Sequence, residues 1–155
     1  MARAPILAAG GIVLHGGARP RIAVVQRRKD NGWVLPKGRL KSKERAISAA
    51  QREAAEETGH DVSVREFLGV IYYFAGGRPK LVHFWRMQAA GAPGRTLTRD
   101  IKALEWLPLN SAIERLSRPH EQAFLRQVGH RAVKLMEPEN RKARLHVALR
   151  EAVSR

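Results

Sequence analysis

The chain has 155 residues, 44% of them hydrophobic, which is enough for one domain with its own core. It contains no cysteine, so disulfide bonds and thiolate metal sites are excluded. Its 29 Lys and Arg outnumber its 14 Asp and Glu, and the resulting formal charge of +15 should attract polyanions such as phosphate-rich small molecules, nucleic acid or acidic membranes.

The first part of the chain predicts a β-hairpin. Residues 6–14 and 21–28 are rich in aliphatic side chains and flank a turn that contains Gly and Pro. Asn31-Gly32 marks the following turn. Pro5 and two Gly-Gly pairs would interrupt an apolar helix, so we expect a first strand here rather than a targeting segment.

The next predicted element is a helix over about residues 44–58, with Gly59 as its C-terminal cap. Three of its carboxylates, Glu53, Glu56 and Glu57, are spaced i, i+3 and i+4 and therefore share one face. Like charges this close repel one another unless a cation neutralises them. Because oxygen ligands suit hard divalent cations, this face predicts a Mg²⁺ or Mn²⁺ site.

The second half of the chain predicts strands followed by helices. Two β-rich runs, 62–74 and 80–88, flank a Gly-Gly turn and should form a hairpin. A loop at 90–99 leads into a short strand at 103–107. Helices are then expected at 111–116, 119–136 and 138–153.

The glutamate-rich stretch resembles a known motif. Residues 38–60 are similar to the Nudix box, G-x5-E-x7-R-E-U-x-E-E-x-G-U, in which U is a bulky aliphatic residue. Ala54 and His60 occupy two U positions, and these departures concern helix packing rather than chemistry. The resemblance extends over about residues 5–135 and implies the Nudix fold, an α+β (α/β/α) sandwich with a mixed sheet between helices. All the fixed residues of the box are present: Gly38, Glu44, Arg52, Glu53, Glu56, Glu57 and Gly59.

The resemblance implies a hydrolase that cleaves a pyrophosphate bond with the help of Mg²⁺ or Mn²⁺. Glu53, Glu56 and Glu57 would bind the metal, together with the carbonyl of Gly38. Either Glu53 or Glu56 would act as the general base toward the attacking water.

Other residues would support this site. The resemblance implies that Arg52 orients the box glutamates, with Glu44 as its partner or as an additional base or ligand. Some relatives use a further carboxylate outside the box. Asp100, six residues before Trp106, is the favoured candidate here, and Glu105 is the alternative.

The residues before the box bear on the substrate. Residues 33–38 read W-x-L-P-K-G, similar to Nudix enzymes that act on dinucleoside polyphosphates, nucleoside triphosphates or diphosphoinositol polyphosphates. Cations at alternate positions around the helix entrance, helped by the helix N-terminal amides, favour phosphate. The residues expected to bind substrate are Lys37, Arg39, Arg27, Tyr73 and His83.

We therefore expect a metal-dependent hydrolase of a dinucleoside polyphosphate or an (oxidised) nucleoside triphosphate. A diphosphoinositol polyphosphate hydrolase and an RNA 5′ pyrophosphohydrolase are the alternatives, and the high positive charge motivates the second. A non-enzymatic binding module is disfavoured because the box glutamates are all kept. The expected partner is a phosphate-rich small molecule, with nucleic acid possible but not favoured and no membrane partner. We expect a cytoplasmic monomer or homodimer.

The chain is expected to form one domain with a short addition. Residues 1–136 would form the Nudix hydrolase domain. Residues 137–155 are basic and amphipathic, with Leu145, Ala148 and Leu149 at helical spacing, and are predicted to form a helical extension packed on the same domain.

Overall fold

The computed structural model describes residues 3–16 and 19–154, except for the side chains of residues 137–144. The predicted order of strands, helix, strands and helices is confirmed. Residues 17–18 of the first predicted turn lie outside the described part of the chain. The elements are β1 (Ile6–His15), β2 (Arg21–Arg27), β3 (Trp33–Val34), β4 (Lys37–Arg39), α1 (Ala46–Thr58), β5 (Val62–Ala75), β6 (Arg78–Ala89), β7 (Ile101–Leu107), α2 (Leu109–Arg115) and α3 (Pro119–Val153).

The strands form one mixed sheet of seven strands. Its main order is β3-β2-β1-β6-β5, and in addition β4 pairs with β1 and β7 with β2. Strands β1 and β6 are parallel, and the remaining pairs are antiparallel. Both predicted hairpins, β1–β2 and β5–β6, are present. Strand β4, which the sequence did not predict, places the start of the Nudix-like motif against β1.

Helices cover both faces of this sheet, as predicted for the sandwich. Alternate residues of β1 point to opposite faces, so Val13 packs with α1 while Ile12 packs with α2 and α3. Helix α1 contacts the sheet through the small side chains Ala49, Ala50 and Ala54, all fully buried. The small residue at the aliphatic position 54 thus allows the helix to lie close to the strands.

The end of α1 is fixed by a glycine and a buried histidine. Gly59 has a φ of +73°, and its N–H donates to the carbonyl of Ala55 at 2.9 Å, as expected for a C-terminal cap. His60 is 5% exposed, and its Nδ1 lies 2.8 Å from the carbonyl oxygen of Ala90. Its ring packs edge-on against Trp106, with 5.3 Å between centroids. An aromatic ring therefore fills the place of the usual aliphatic side chain.

Helix α3 differs from its prediction. Two helices, 119–136 and 138–153, were expected, but the structure has one helix of 35 residues that continues through Pro138. A proline removes only one hydrogen bond of the helix, so the neighbouring bonds can carry the helix past it. Despite its length, neither α3 nor any other helix in the described ranges is apolar enough to cross a membrane.

The two halves of α3 have different surroundings. In the first half, Phe124, Leu125 and Met136 are buried in the core. At the far end, residues 145–154 are exposed, including Leu145 and Leu149. Packing of the extension on the domain is therefore not seen at these residues, and the side chains at 137–144 lie outside the described set.

One part of the sheet is left uncovered. On the edge strand β5, Phe67, Val70, Tyr72 and Phe74 are between 42% and 64% exposed. These four residues form what we call the open sheet face. An apolar patch of this kind is a candidate contact surface.

Candidate active site

A cleft of about 680 Å³ lies where α1, β4, the start of β6 and the loop before β7 meet. Its lining combines both signs of charge. Three acidic side chains take part: Glu53, Glu57 and Asp100. Seven basic side chains surround them: Arg27, Arg28, Lys29, Lys37, Arg39, Lys80 and Arg99.

Gly38 brings strand β4 close to the first of these carboxylates. It pairs with Ala9 of β1, which places it beside α1. A Cβ atom at position 38 would lie 2.1 Å from Cδ of Glu53, far inside contact distance. Only glycine therefore lets the Glu53 carboxylate lie directly against this strand.

Arg52 holds the carboxylates beside the cleft. Its Nε and Nη2 donate to the two carboxylate oxygens of Glu44 at 2.9 and 2.8 Å, and its Nη1 donates to Glu53 at 2.7 Å. Glu44 also accepts the N–H of Lys41 at 2.9 Å. The Arg52 hydrogen bonds lower the pKa of Glu44 to about 2. Arg52 thus makes the expected ion pair with Glu44 and orients Glu53.

Glu57 is the most deeply placed carboxylate of the cleft. Its Oε1 accepts the backbone N–H of Lys37 at 3.1 Å. Removal from water raises its pKa to about 8, although the charge and the N–H of Lys37 act in the opposite direction. A divalent cation beside Glu57 would favour its ionised form, so this carboxyl group fits a metal ligand.

Glu56 takes a different position from its two neighbours. Its side chain is 40% exposed, and its Oε2 lies 3.6 Å from Nη1 of Arg52. Among the side chains that the structure describes, which leave out those of residues 137–144, no three His, Asp or Glu groups converge as metal ligands would. The structure therefore brings Glu53 and Glu57 into the cleft and leaves Glu56 with Arg52. Carboxylates next to the backbone of Gly38 form an all-oxygen set that suits Mg²⁺ or Mn²⁺.

Of the two candidate carboxylates outside the box, only Asp100 reaches the cleft. Its loop is fixed by Arg28, whose N–H donates to the carbonyl of Asp100 at 2.8 Å and whose Nε donates to that of Arg99 at 3.0 Å. Glu105 forms an ion pair with Arg115 instead. Asp100, and not Glu105, therefore lines the cleft beside Glu53 and Glu57.

The predicted substrate-binding residues separate into two groups. Arg27, Lys37 and Arg39 line the cleft. Tyr73 lies behind the lining, stacked on His120 with 4.1 Å between ring centroids.

His83 is not among the residues that line the cleft. Its ring lies next to that of Phe67, a residue of the open sheet face, with 5.9 Å between the ring centroids. Residues 80 and 82 point to the α3 side and residue 83 to the other, because strand side chains alternate. The structure therefore brings Lys80, not His83, to the cleft.

The sequence did not predict three residues that lie in or behind the cleft: Lys29, Arg99 and Glu121. The first two adjoin Arg28 and Asp100, so their position in the chain was a usable signal. Glu121 forms an ion pair with Lys37, 2.9 Å between Nζ and Oε2. No local pattern could reveal that contact because the two residues belong to distant parts of the chain.

A family model described as NUDIX domain matches residues 5–128. The chain belongs to the Nudix family. Nudix hydrolases act on phosphate-rich small molecules and generally use divalent metal ions. The box at residues 38–60 lies within the matched range, and its Gly38, Glu53 and Glu57 line the cleft.

Curated relatives include two mycobacterial proteins. An 8-oxo-(d)GTP phosphatase of Mycolicibacterium smegmatis is 33% identical over 77% of this chain and 38% of its own length. A putative mutator protein MutT4 of Mycobacterium tuberculosis is 35% identical over 74% of this chain and 50% of its own. This Nudix chain thus spans half or less of the length of these relatives.

A solved structure shows the same fold. The Ap4A hydrolase of C. elegans in a binary complex superposes with a TM-score of 0.71 and 23% identity, covering 81% of this chain and 96% of its own. Among the curated proteins, a bis(5′-nucleosyl)-tetraphosphatase of Sus scrofa is 29% identical over 63% of this chain and 69% of its own.

Proposed function

We propose that this protein hydrolyses a pyrophosphate bond of a polyphosphate substrate with the help of Mg²⁺ or Mn²⁺. The observation that carries the proposal is the composition of one cleft, in which Glu53 and Glu57 lie among seven basic side chains. Two carboxylates suit a cation, and the surrounding basic groups suit several phosphates at once. A dinucleoside polyphosphate or an (oxidised) nucleoside triphosphate meets both requirements.

The carboxylates would organise the reaction. Glu53 and Glu57, with Asp100 as a further ligand, would hold the divalent ion, which would screen the phosphate charge and lower the pKa of a nearby water. Glu53 or Glu56 would accept the proton of the attacking water. A bond forms between the water oxygen and phosphorus, the bridging P–O bond breaks, and the departing phosphate keeps the electron pair. Arg52 would keep Glu53 oriented during this exchange.

The names of the relatives support the same two substrate classes. One acts on 8-oxo-(d)GTP, a nucleoside triphosphate, and another on bis(5′-nucleosyl) tetraphosphates. Both substrates carry a run of phosphates, which Arg27, Arg39 and Lys80 of the cleft lining could contact. The charges of the cleft suit the phosphates of both classes equally, so the two classes are joint candidates.

A hydrolysis screen, in which the products are separated by chromatography, tests the proposal. The protein would be incubated with Mg²⁺ or Mn²⁺ and a dinucleoside tetraphosphate, nucleoside triphosphates with and without an oxidised base, a diphosphoinositol polyphosphate and 5′-triphosphorylated RNA. We expect turnover of one of the first two classes, and identification of the products would locate the attacked phosphorus. Turnover of the inositol compound or the RNA alone would replace the proposed substrate, and no turnover of any compound would contradict the activity.

The same experiment separates RNA from small nucleotides. If the net charge of +15 serves RNA binding, RNA turnover should weaken steeply as salt concentration rises. We expect small nucleotides to be preferred at every salt concentration.

The oligomeric state is proposed as monomer or homodimer, and the cytoplasmic location remains a prediction. A second copy would cover the open sheet face, whose exposed rings make it a suitable contact surface. Sedimentation over a dilution series distinguishes the two states.

A further inference from the structure

Behind the cleft lies a buried ion pair that links two distant parts of the chain. The side chains of Lys37 and Glu121 are only 7% and 1% exposed, and Nζ lies 2.9 Å from Oε2. The contact has the distance of an ion pair but not the angles of a hydrogen bond. It joins strand β4 to the first turn of α3.

The remaining polar atoms of the pair hold the chain just before β4. Glu121 accepts the N–H of Leu35 on its other oxygen at 3.1 Å, and Nζ of Lys37 donates to the carbonyl of Leu35 at 3.2 Å. Two further bonds extend this contact: Trp33 donates its N–H to Oγ of Ser117 at 2.8 Å and accepts the N–H of Ser117 at 2.9 Å. The segment 33–37 is therefore tied to the start of α3 along its length.

The same segment touches both carboxylates of the cleft. The N–H of Lys37 donates to Glu57 at 3.1 Å. The next residue, Gly38, lies against the carboxylate of Glu53. A displacement of this segment would therefore move the hydrogen-bond donor of Glu57 and the surface on which Glu53 rests.

We propose that Glu121 is a positioning residue of the active site, acting through Lys37 on Glu57 and Glu53. The inference rests on the proposed function. It also gives Lys37 a different main task from phosphate binding: its ammonium group is held by Glu121 and Leu35, and its backbone N–H holds Glu57.

Paired substitutions can separate positioning from stability. Removing one partner of a buried ion pair leaves an uncompensated charge and destabilises the fold, whereas replacing both partners with apolar side chains of similar size is often neutral. The variants Lys37→Met and Glu121→Met should each lower Tm, and the double variant should recover it. The Lys37–Glu121 ion pair is absent in all three, and the bond from Leu35 to Glu121 is also absent in the two variants that lack Glu121.

Two measurements report on the site itself. Mn²⁺ affinity, measured without substrate by the EPR signal of free Mn²⁺, should fall about 10- to 100-fold in the double variant. Its kcat should fall by a similar factor, with KM changed less than about threefold. A double variant that regains Mn²⁺ affinity and kcat together with Tm would reduce Glu121 to a purely structural role. A rise in KM alone would make Lys37 a phosphate-binding residue and would also overturn the proposal.

The matched control is Glu66→Gln. Glu66 pairs with the fully buried Arg86, away from the cleft, so this variant weakens another ion pair with a buried cation. It should lower Tm without changing Mn²⁺ affinity or kcat. If the double variant does not regain Tm, this control shows how far a similar loss of stability alone lowers Mn²⁺ affinity and kcat. Mn²⁺ affinity equal to that of the control would then count against the proposal.

Failure of the proposed function would be recognised separately. A wild-type protein that binds Mn²⁺ but turns over none of the candidate substrates would contradict the activity. The Mn²⁺ comparison would still decide whether Glu121 positions the carboxylates.

Discussion

Glycine at position 38 determines how closely strand β4 and helix α1 can approach each other. A Cβ atom at this position would lie 2.1 Å from Cδ of Glu53, which leaves no room for any side chain. The resemblance suggested a different reason for this residue, namely its carbonyl as a metal ligand. The steric reason and the ligand role are compatible, because both need the backbone of residue 38 beside Glu53.

The variant Gly38→Ala tests this approach. The added methyl group should displace Glu53 and lower kcat by about 100-fold, since a shift of about 1 Å in a catalytic group has effects of that size. Gly91→Ala is the control, because a Cβ there meets nothing within 4 Å. Equal kcat values of the two variants, measured from the nucleotide products, would contradict the account of Gly38.

Lys80 gives the cleft a pH-sensitive cation. Burial lowers its pKa to about 8, and the positive charges of Lys37, Arg118, Arg39 and Arg27 act in the same direction. Lys80 is charged below this pH and loses its charge as the pH rises through it. A bound polyphosphate would favour the charged form.

We therefore expect KM for the polyphosphate to rise as the pH increases above about 8. In Lys80→Arg the guanidinium stays charged throughout, so KM should remain flat over the same range. Initial rates between pH 7 and 10 measure this. The same rise of KM in both proteins would show that Lys80 does not bind the substrate.

At the scale of elements, local patterns predicted most of the structure. Both hairpins and α1 are visible in runs of apolar residues and in their turn residues. Strand β4 was missed because its three residues carry no pattern of their own and are held only by pairing with β1. Helix α3 continues through Pro138, where the sequence predicted two separate helices, because a proline removes only one hydrogen bond of a helix.

The far half of α3 should be dispensable for the fold. A chain ending after Met136 keeps every described α3 residue of the core, and residues 145–154 are exposed. We expect it to keep its activity, measured from the nucleotide products, and most of its Tm, measured by calorimetry.

A shorter chain ending after Gly129 provides the contrast. It lacks the buried Ala132 and Met136, so its Tm should fall clearly. If the chain that ends after Met136 failed to fold, the extension would be part of the core, which would contradict the domain boundary.

For the whole molecule, the sequence predicted the charge but not its distribution. The cations of the cleft come from four separate segments: 27–29, 37–39, residue 80 and residue 99. Spacing within the box could show that Glu53, Glu56 and Glu57 share a helix face. Only the fold shows that Glu56 forms an ion pair with Arg52 and that Lys37 forms one with Glu121. Tertiary contacts of this kind leave no local signal in one sequence.

The central claim is that the carboxylates of this cleft drive metal-dependent cleavage of a polyphosphate. It is tested most directly by chromatographic measurement of the nucleotides formed from a dinucleoside tetraphosphate or a nucleoside triphosphate, by the wild type and by Glu57→Gln with Mg²⁺. The amide keeps the shape of Glu57 but cannot supply a negative charge to the metal. We predict turnover by the wild type and a rate at least about 100-fold lower for a folded Glu57→Gln variant. An undiminished rate in that variant would contradict the account.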